Sequence, residues 1–235
     1  MVEPVQPERS TGTQHRDVGA QAAWERAFVS FESPEQEQHK FIRRLKGLGV
    51  DEWDKGLRVL ELFCGRGSGL SAWEQMGFEN IEGVDISAEL VNNYSGDAKC
   101  TVGDARNLPF ADGTFDVVCV QGGLHHLQLM DDFGRTLGEV HRVLAKGGRF
   151  IVVEPWQTPF LRFVHFMMGI GLVRKLSRRV DTYATLCALE RRTFESRLKE
   201  SDAIIKRLRF YSDVLTLRIR WGKLMFVGIR KEHMA

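Results

Sequence analysis

Between Arg58 and Glu154 the chain alternates short β-branched runs with stretches whose apolar residues recur at helical spacing. The runs are Arg58 to Phe63, Ile81 to Asp85, Lys99 to Val102, Phe115 to Gln121 and Arg149 to Glu154. Helical patterns fill the gaps at Gly69 to Met76, Ala88 to Tyr94 and Asp131 to Leu144, the last followed by a Gly stop at Lys146-Gly147-Gly148. Strands separated by helices return in the same direction, so the rhythm predicts βαβ units and a parallel sheet.

Outside that core the pattern changes. Residues 1–19 are polar and unpatterned and read as a disordered tail, while 20–57 read as a helical extension of two helices broken near Ser33-Pro34. After Pro155 the alternation stops, and 156–203 read as a helical cap inserted before the closing strands of 204–235. There Val214 to Arg220 and Leu224 to Arg230, joined by Trp221-Gly222-Lys223, predict an antiparallel hairpin, and Ile204 to Phe210 is a candidate further strand.

With 43% hydrophobic and 27% charged residues in 235, the chain can bury a core and is not a disordered polymer. Cys64, Cys100, Cys119 and Cys187 form no CxxC pair, and the seven histidines show no HExxH spacing, so neither a zinc site nor a disulfide framework is indicated. No signal-peptide pattern opens the sequence, and charges at Arg162, His165, Arg174 and Lys175 interrupt its most apolar stretch, so a cytoplasmic protein is expected. The net charge of +2 hides an asymmetry: residues 1–150 carry −7 and residues 151–235 carry +9. A basic final third suits an anionic partner or a solvated helical face.

The strongest local signal is RVLELFCGRGSG, a strand entering a turn with Gly65, Gly67 and Gly69 and then a helix. Glycines let such a turn approach a ligand closely, and the helix presents unpaired N–H groups to it. The frame Gly67 to Ala72 also satisfies the G-x-G-x-x-A dinucleotide pattern, which keeps an NAD-linked oxidoreductase in view. Asp85 ends the second strand, where a carboxylate can accept from both hydroxyls of a ribose or cap a helix. Asp104 follows the third, where it can accept from an adenine amino group or cap a short helix.

Taken together, ELFCGRGSG, GVDIS, GDARNLPFADGTFDVVCVQGGLHHL and EVHRVLAKGGRFIVVEP resemble the class I S-adenosylmethionine (SAM) dependent methyltransferases, especially those acting on small molecules. The resemblance covers Arg58 to Pro155 and implies a Rossmann-like α/β fold with a seven-stranded, mostly parallel sheet, and SAM as cofactor. By the same resemblance, Glu61 is the acidic residue ending the first strand, and Gly65 and Gly67 pass under the methionine moiety. Asp85 is the ribose ligand, Ile86 the neighbour of the adenine, Asp104 and Ala105 the pair at the adenine edge, and Gln121 a contact of the amino-acid part. Phe63 departs from the pattern, which usually has Gly there.

Methyl transfer from a sulfonium needs alignment more than a protein nucleophile. A hydroxyl acceptor needs a base, and QGGLHHL puts His125 and His126 just after the fourth strand. Either is a candidate base, pocket wall or helix cap, while Glu154, ending the fifth strand, can orient an acceptor or cap the segment after it. Phe160 to Arg179 joins an apolar stripe to a basic end, the composition of a lid over a hydrophobic acceptor or of contact with an anionic membrane, as well as of core packing or a dimer interface. The sequence-level expectation is a SAM-dependent methyltransferase of a small or lipid-like acceptor, O-methylation favoured, with no metal and no nucleic-acid partner. A non-catalytic SAM-fold assembly protein is the alternative, and nothing in the sequence sets an oligomeric state.

Overall fold

The computed structural model describes residues 33–127, 129–168 and 201–232. At its centre β1 (Arg58–Leu62) is flanked on one side by β2 (Asn80–Asp85) and on the other by β4 (Phe115–Gln121), all parallel. β3 (Lys99–Val102) extends the sheet beyond β2, and β5 (Leu144–Pro155) extends it beyond β4, also parallel. β7 (Lys223–Arg230) runs antiparallel beside β5, and β6 (Ser212–Arg220) closes that edge. The seven-stranded order is β3-β2-β1-β4-β5-β7-β6, the Rossmann-like α/β arrangement with a closing hairpin.

Both faces are covered, which is why β4 is apolar almost throughout. Val118 and Val120 join one apolar layer with Phe133, Leu137 and Val140 of α4 (Met130–Val143) and Ile204 and Leu208 of α6 (Ser201–Tyr211). Val117 and Cys119 join the other, with Leu70 and Trp73 of α2 (Ser68–Gln75) and Leu45 of α1 (Pro34–Gly47). Short α3 (Ala88–Asn92) links β2 to β3.

The break expected at Ser33-Pro34 is a helix start. Ser33 Oγ accepts from Gln36 N at 3.3 Å while Gln36 Oε1 accepts from Ser33 N at 3.4 Å, a reciprocal capping box with Pro34 inside the first turn. The tail and the helix expected before Ser33 lie outside the described residues. So does most of the cap, apart from its first helix, α5 (Pro159–Met168).

Two local readings are corrected. Ile204 to Phe210 is helical, not a strand: it lies within α6, where Ile204 and Leu208, one turn apart, are the buried pair. A short apolar run cannot by itself separate the two periods. Lys146 to Gly148 does not stop a helix either, since α4 ends at Val143 and the glycines lie in the irregular start of β5, with Gly147 at φ 71°. The hairpin forms with a tighter loop than the expected three residues, because Lys223 already pairs with Arg220 and only Trp221 (φ 51°) and Gly222 (φ 76°) turn the chain.

Arg142 of α4 fastens the segment between β3 and β4. It donates to the carbonyls of Phe110 (2.7 Å) and Leu108 (3.1 Å) and to the carboxylates of Asp112 (2.9 Å) and Glu139 (2.8 Å). Glu139 in turn accepts from Leu108 N at 2.7 Å. This fork joins EVHR of α4 to ARNLPFADG before β4. Replacing Arg142 with Ala strands these carbonyls and is expected to cost about 2 kcal/mol; urea unfolding checks it, and an unchanged midpoint would show that the fork carries no stability.

Candidate functional site

The carboxyl ends of the five parallel strands gather the loops carrying Gly65 and Gly67, Asp85, Asp104, Gln121 and Glu154 at one edge of the sheet. The crossover after β1 lies on one face and that after β4 on the other, so the loops part between them and leave a crevice, where open α/β sheets bind ligands.

Gly65 and Gly67 take φ 54° and 84°, and Gly67 is the left-handed residue that starts α2. A Cβ on Gly67 would run into the ring of Tyr94, so only glycine lets the loop lie this close to the neighbouring chain. Asp85 holds the loop to the end of β2, its Oδ2 accepting from Gly65 N at 2.8 Å and its Oδ1 from Ser87 N at 2.9 Å. Ser87, not Asp85, caps α3. From above, Arg66 donates to Glu37 of α1 at 2.9 Å, and Gln38 of α1 donates to Ser71 O at 2.9 Å, so the helical extension clamps the loop and the first turn of α2.

Asp104 sits at the corresponding turn after β3. Its carboxylate accepts from Arg106 N at 2.9 Å and from the Arg106 guanidinium at 2.7 to 3.0 Å, and Arg106 reaches on to Asp132 of α4 at 3.2 Å. The guanidinium keeps the Asp104 carboxyl below the ordinary carboxylate range. Ala105 is buried beneath, and Ile86 stands 68% exposed near the mouth. Gln121, at the end of β4, is 9% exposed, yet neither atom of its amide has a hydrogen-bond partner. An amide left so costs about 1 to 3 kcal/mol, so the position suits a polar ligand group.

Glu154, at the end of β5, is 6% exposed, and it accepts from Gly123 N at 2.8 Å, Leu124 N at 2.7 Å and pairs with His125 Nδ1 at 2.8 Å. One carboxylate therefore fixes both the turn after β4 and the histidine on it. The His126 ring centroid lies 4.1 Å from that of His125. Phe63, which departs from the expected glycine, does take the left-handed conformation at φ 57°, and its ring packs where a Cβ of Gly123 would be. Sequence reasoning noticed Phe63 but had no means of pairing it with Gly123, nor Arg106 with Asp104.

Glu61 turns away from the open side of the loop, toward α2. Its Oε2 accepts from Trp73 Nε1 at 3.0 Å and its carboxyl fills the space beside Gly69. Burial pushes its pKa up to about 8. Cys64 and Cys100 lie 3.4 Å apart sulfur to sulfur, and burial raises both thiols, which suits packing and not nucleophilic work. A surface cavity of about 500 Å³ lined by Gly147, Phe210, Asp213 and Arg230 lies near the start of β5, remote from these loops. Among the described residues no cluster of His, Cys, Asp and Glu could hold a metal, and no helix is long and apolar enough to cross a membrane.

A family model described as a methyltransferase domain matches residues 60–152. The demethylmenaquinone methyltransferase of Thermobifida fusca is 32% identical over 163 residues, 63% of this chain and 67% of that one. The chain belongs to the class I SAM-dependent methyltransferases. The ubiquinone/menaquinone biosynthesis C-methyltransferase of Rubrivivax gelatinosus is 28% identical over 225 residues, covering 92% of this chain and 77% of that one. Aligned stretches span 47% to 78% of the first curated relatives' lengths. A crystal structure of a Pyrococcus horikoshii protein shares the fold at TM-score 0.63 and 22% identity, over 88% of this chain and 98% of that one. SAM is thus the cofactor of this methyltransferase, and the dinucleotide reading of Gly67 to Ala72 falls away.

The Glu61 carboxyl makes stability depend on pH. Its pKa is higher folded than unfolded, so the folded state holds the proton more tightly, and stability falls as pH rises from about 4.5 toward 8, by up to about 1.4 kcal/mol per pH unit. Glu61→Gln removes this dependence, so the melting-temperature advantage of the variant should be small at pH 5 and grow toward pH 9. A pH-independent difference would show that Glu61 titrates normally.

Proposed function

We propose that this methyltransferase acts on a lipid-like, hydroxyl-bearing aromatic acceptor of the quinol type, with His125 as base and Glu154 holding it. The Glu154–His125 pair carries the reading, and the acceptors named for the relatives from Thermobifida fusca and Rubrivivax gelatinosus support it. With its Nδ1 proton donated to Glu154, His125 is held in the tautomer whose Nε2 is basic. That nitrogen takes the proton of an acceptor hydroxyl, and the oxyanion so formed spreads its charge onto the ring carbons. Bound SAM supplies an electrophilic methyl group. The turn after β4 and the Gly65–Gly67 loop leave the adjacent strands β4 and β1, so the two partners would be aligned beside them and most of the rate would come from that alignment.

The site residues divide accordingly. Asp85 would hold the ribose, Asp104, Ala105 and Ile86 the adenine, and Gln121 with Gly65 and Gly67 the methionine part; Gln121's unpartnered amide and the glycine-lined turn support that fit. Glu61 would brace the loop from behind through Trp73. His126 packs against His125 with its ring tilted and would line the acceptor side. The same base serves O- or C-methylation, and we favour transfer to a ring carbon because the Rubrivivax relative is named a C-methyltransferase. On that route the ring carbon bonds the methyl group and then gives up its hydrogen as a proton when aromaticity returns.

Turnover of a short-chain naphthoquinol, kept reduced, should give a product with methyl on carbon by mass spectrometry and NMR. His125→Ala should lower kcat by about 10² to 10⁴. Glu154→Gln should shift the lower limb of the pH–rate profile while retaining SAM affinity. Full turnover by His125→Ala, or no methylation of any quinol, would sink the reading.

A further inference from the structure

Beside the catalytic edge the chain displays large apolar side chains to solvent. Phe163 is 61% and Phe166 70% exposed on α5, and Trp221, in the turn between β6 and β7, is 66% exposed. These are one surface. Trp156 N donates to Gly222 O at 2.8 Å, Leu161 packs over Gly222, and the rings of Phe160 and Trp221 meet edge to face at 5.1 Å. At 100° per residue, Phe160, Phe163 and Phe166 span about 120° of one face of α5, while Leu161 is buried on the other side. Because Lys223 pairs with Pro155, this turn stands at the same end of the sheet as Glu154 and His125.

Among the described residues of these two segments the charge has one sign. Exposed Arg162 interrupts the phenylalanines, exposed Arg220 and half-buried Lys223 bracket Trp221, and the sequence holds no Asp or Glu from Pro159 to Met168 or from Val214 to Lys231. Phenylalanine and tryptophan with flanking cations is the composition that enters the boundary between lipid headgroups and acyl chains.

We propose that α5 and the β6–β7 turn dock on an anionic lipid bilayer, so that the catalytic crevice opens against the membrane. This deepens the reading of a lipid-like acceptor: an acceptor dissolved in the bilayer reaches His125 without crossing water. Docking on lipid rather than on a second copy of the chain follows from the charge, since two like basic rims repel across a symmetric interface.

The test uses the whole protein in flotation with phosphatidylcholine vesicles, with and without phosphatidylglycerol. The protein should float with the anionic vesicles in low salt, and should do so several-fold less in high salt or without phosphatidylglycerol. Phe163→Asp combined with Phe166→Asp should weaken flotation by roughly tenfold or more while S-adenosylhomocysteine binding, which reports folding, stays unchanged. The double variant should methylate a short-chain quinol in solution at the rate of the parent protein and lose most turnover of a long-chain quinol in vesicles. Absence of flotation on anionic vesicles, equal flotation of the variant, or a dimer that the two substitutions dissociate without any lipid binding would overturn the docking. Failure to methylate either quinol, with flotation intact, would instead count against the acceptor reading.

Discussion

A parallel sheet whose order reverses between β1 and β4 must send its crossovers to opposite faces, and the loops leaving those strands are forced apart. That gap is a consequence of topology before any side chain is chosen, and everything functional in this protein is built around it. The glycines after β1, the carboxylate ending β2, the carboxylate just after β3, the amide ending β4 and the carboxylate near the end of β5 are brought together because parallel strands end on one side.

Holding that gap open without filling it requires backbone groups to be satisfied from the sides. Asp85 takes the amide of Gly65, Glu154 takes those of Gly123 and Leu124, and Arg142 takes the carbonyls of Leu108 and Phe110. Each is a charge-assisted bond from a loop to a regular element, stronger than a neutral pair. Gln121 is the exception, a buried amide with no hydrogen-bond partner for either of its polar atoms. Glu154 does two things at once, since the carboxylate that fixes the loop also holds His125.

The sheet was legible because Val117 to Val120 and Ile151 to Val153 are apolar on both faces, the pattern of strands covered on both sides, and helical stretches separate them. The turn after β1 was legible because the residue types are narrow: Gly65 and Gly67 take positive φ, and Asp85 at the end of β2 accepts from Gly65 N. Less was visible where identity depends on a partner remote in sequence. Nothing near Glu154 announces His125, 29 residues before it, as its partner, and nothing near Glu61 announces Trp73 as its donor. The helix over Ile204 to Phe210 was misread because its apolar residues fit either period over so few positions. The +9 of the last third was visible, but its meaning depends on α5 packing against the β6–β7 turn, which only the fold supplies.

The account stands on SAM being held in the crevice by the carboxylate at the end of β2, and calorimetric titration with S-adenosylhomocysteine tests this most directly. The parent protein should bind at roughly micromolar Kd. Asp85→Ala, with folding confirmed by circular dichroism, should bind about tenfold or more weakly, as loss of hydrogen bonds to a charged group requires. Equal affinity in the two proteins would place the cofactor elsewhere, and no binding by the parent protein would contradict the account at its base.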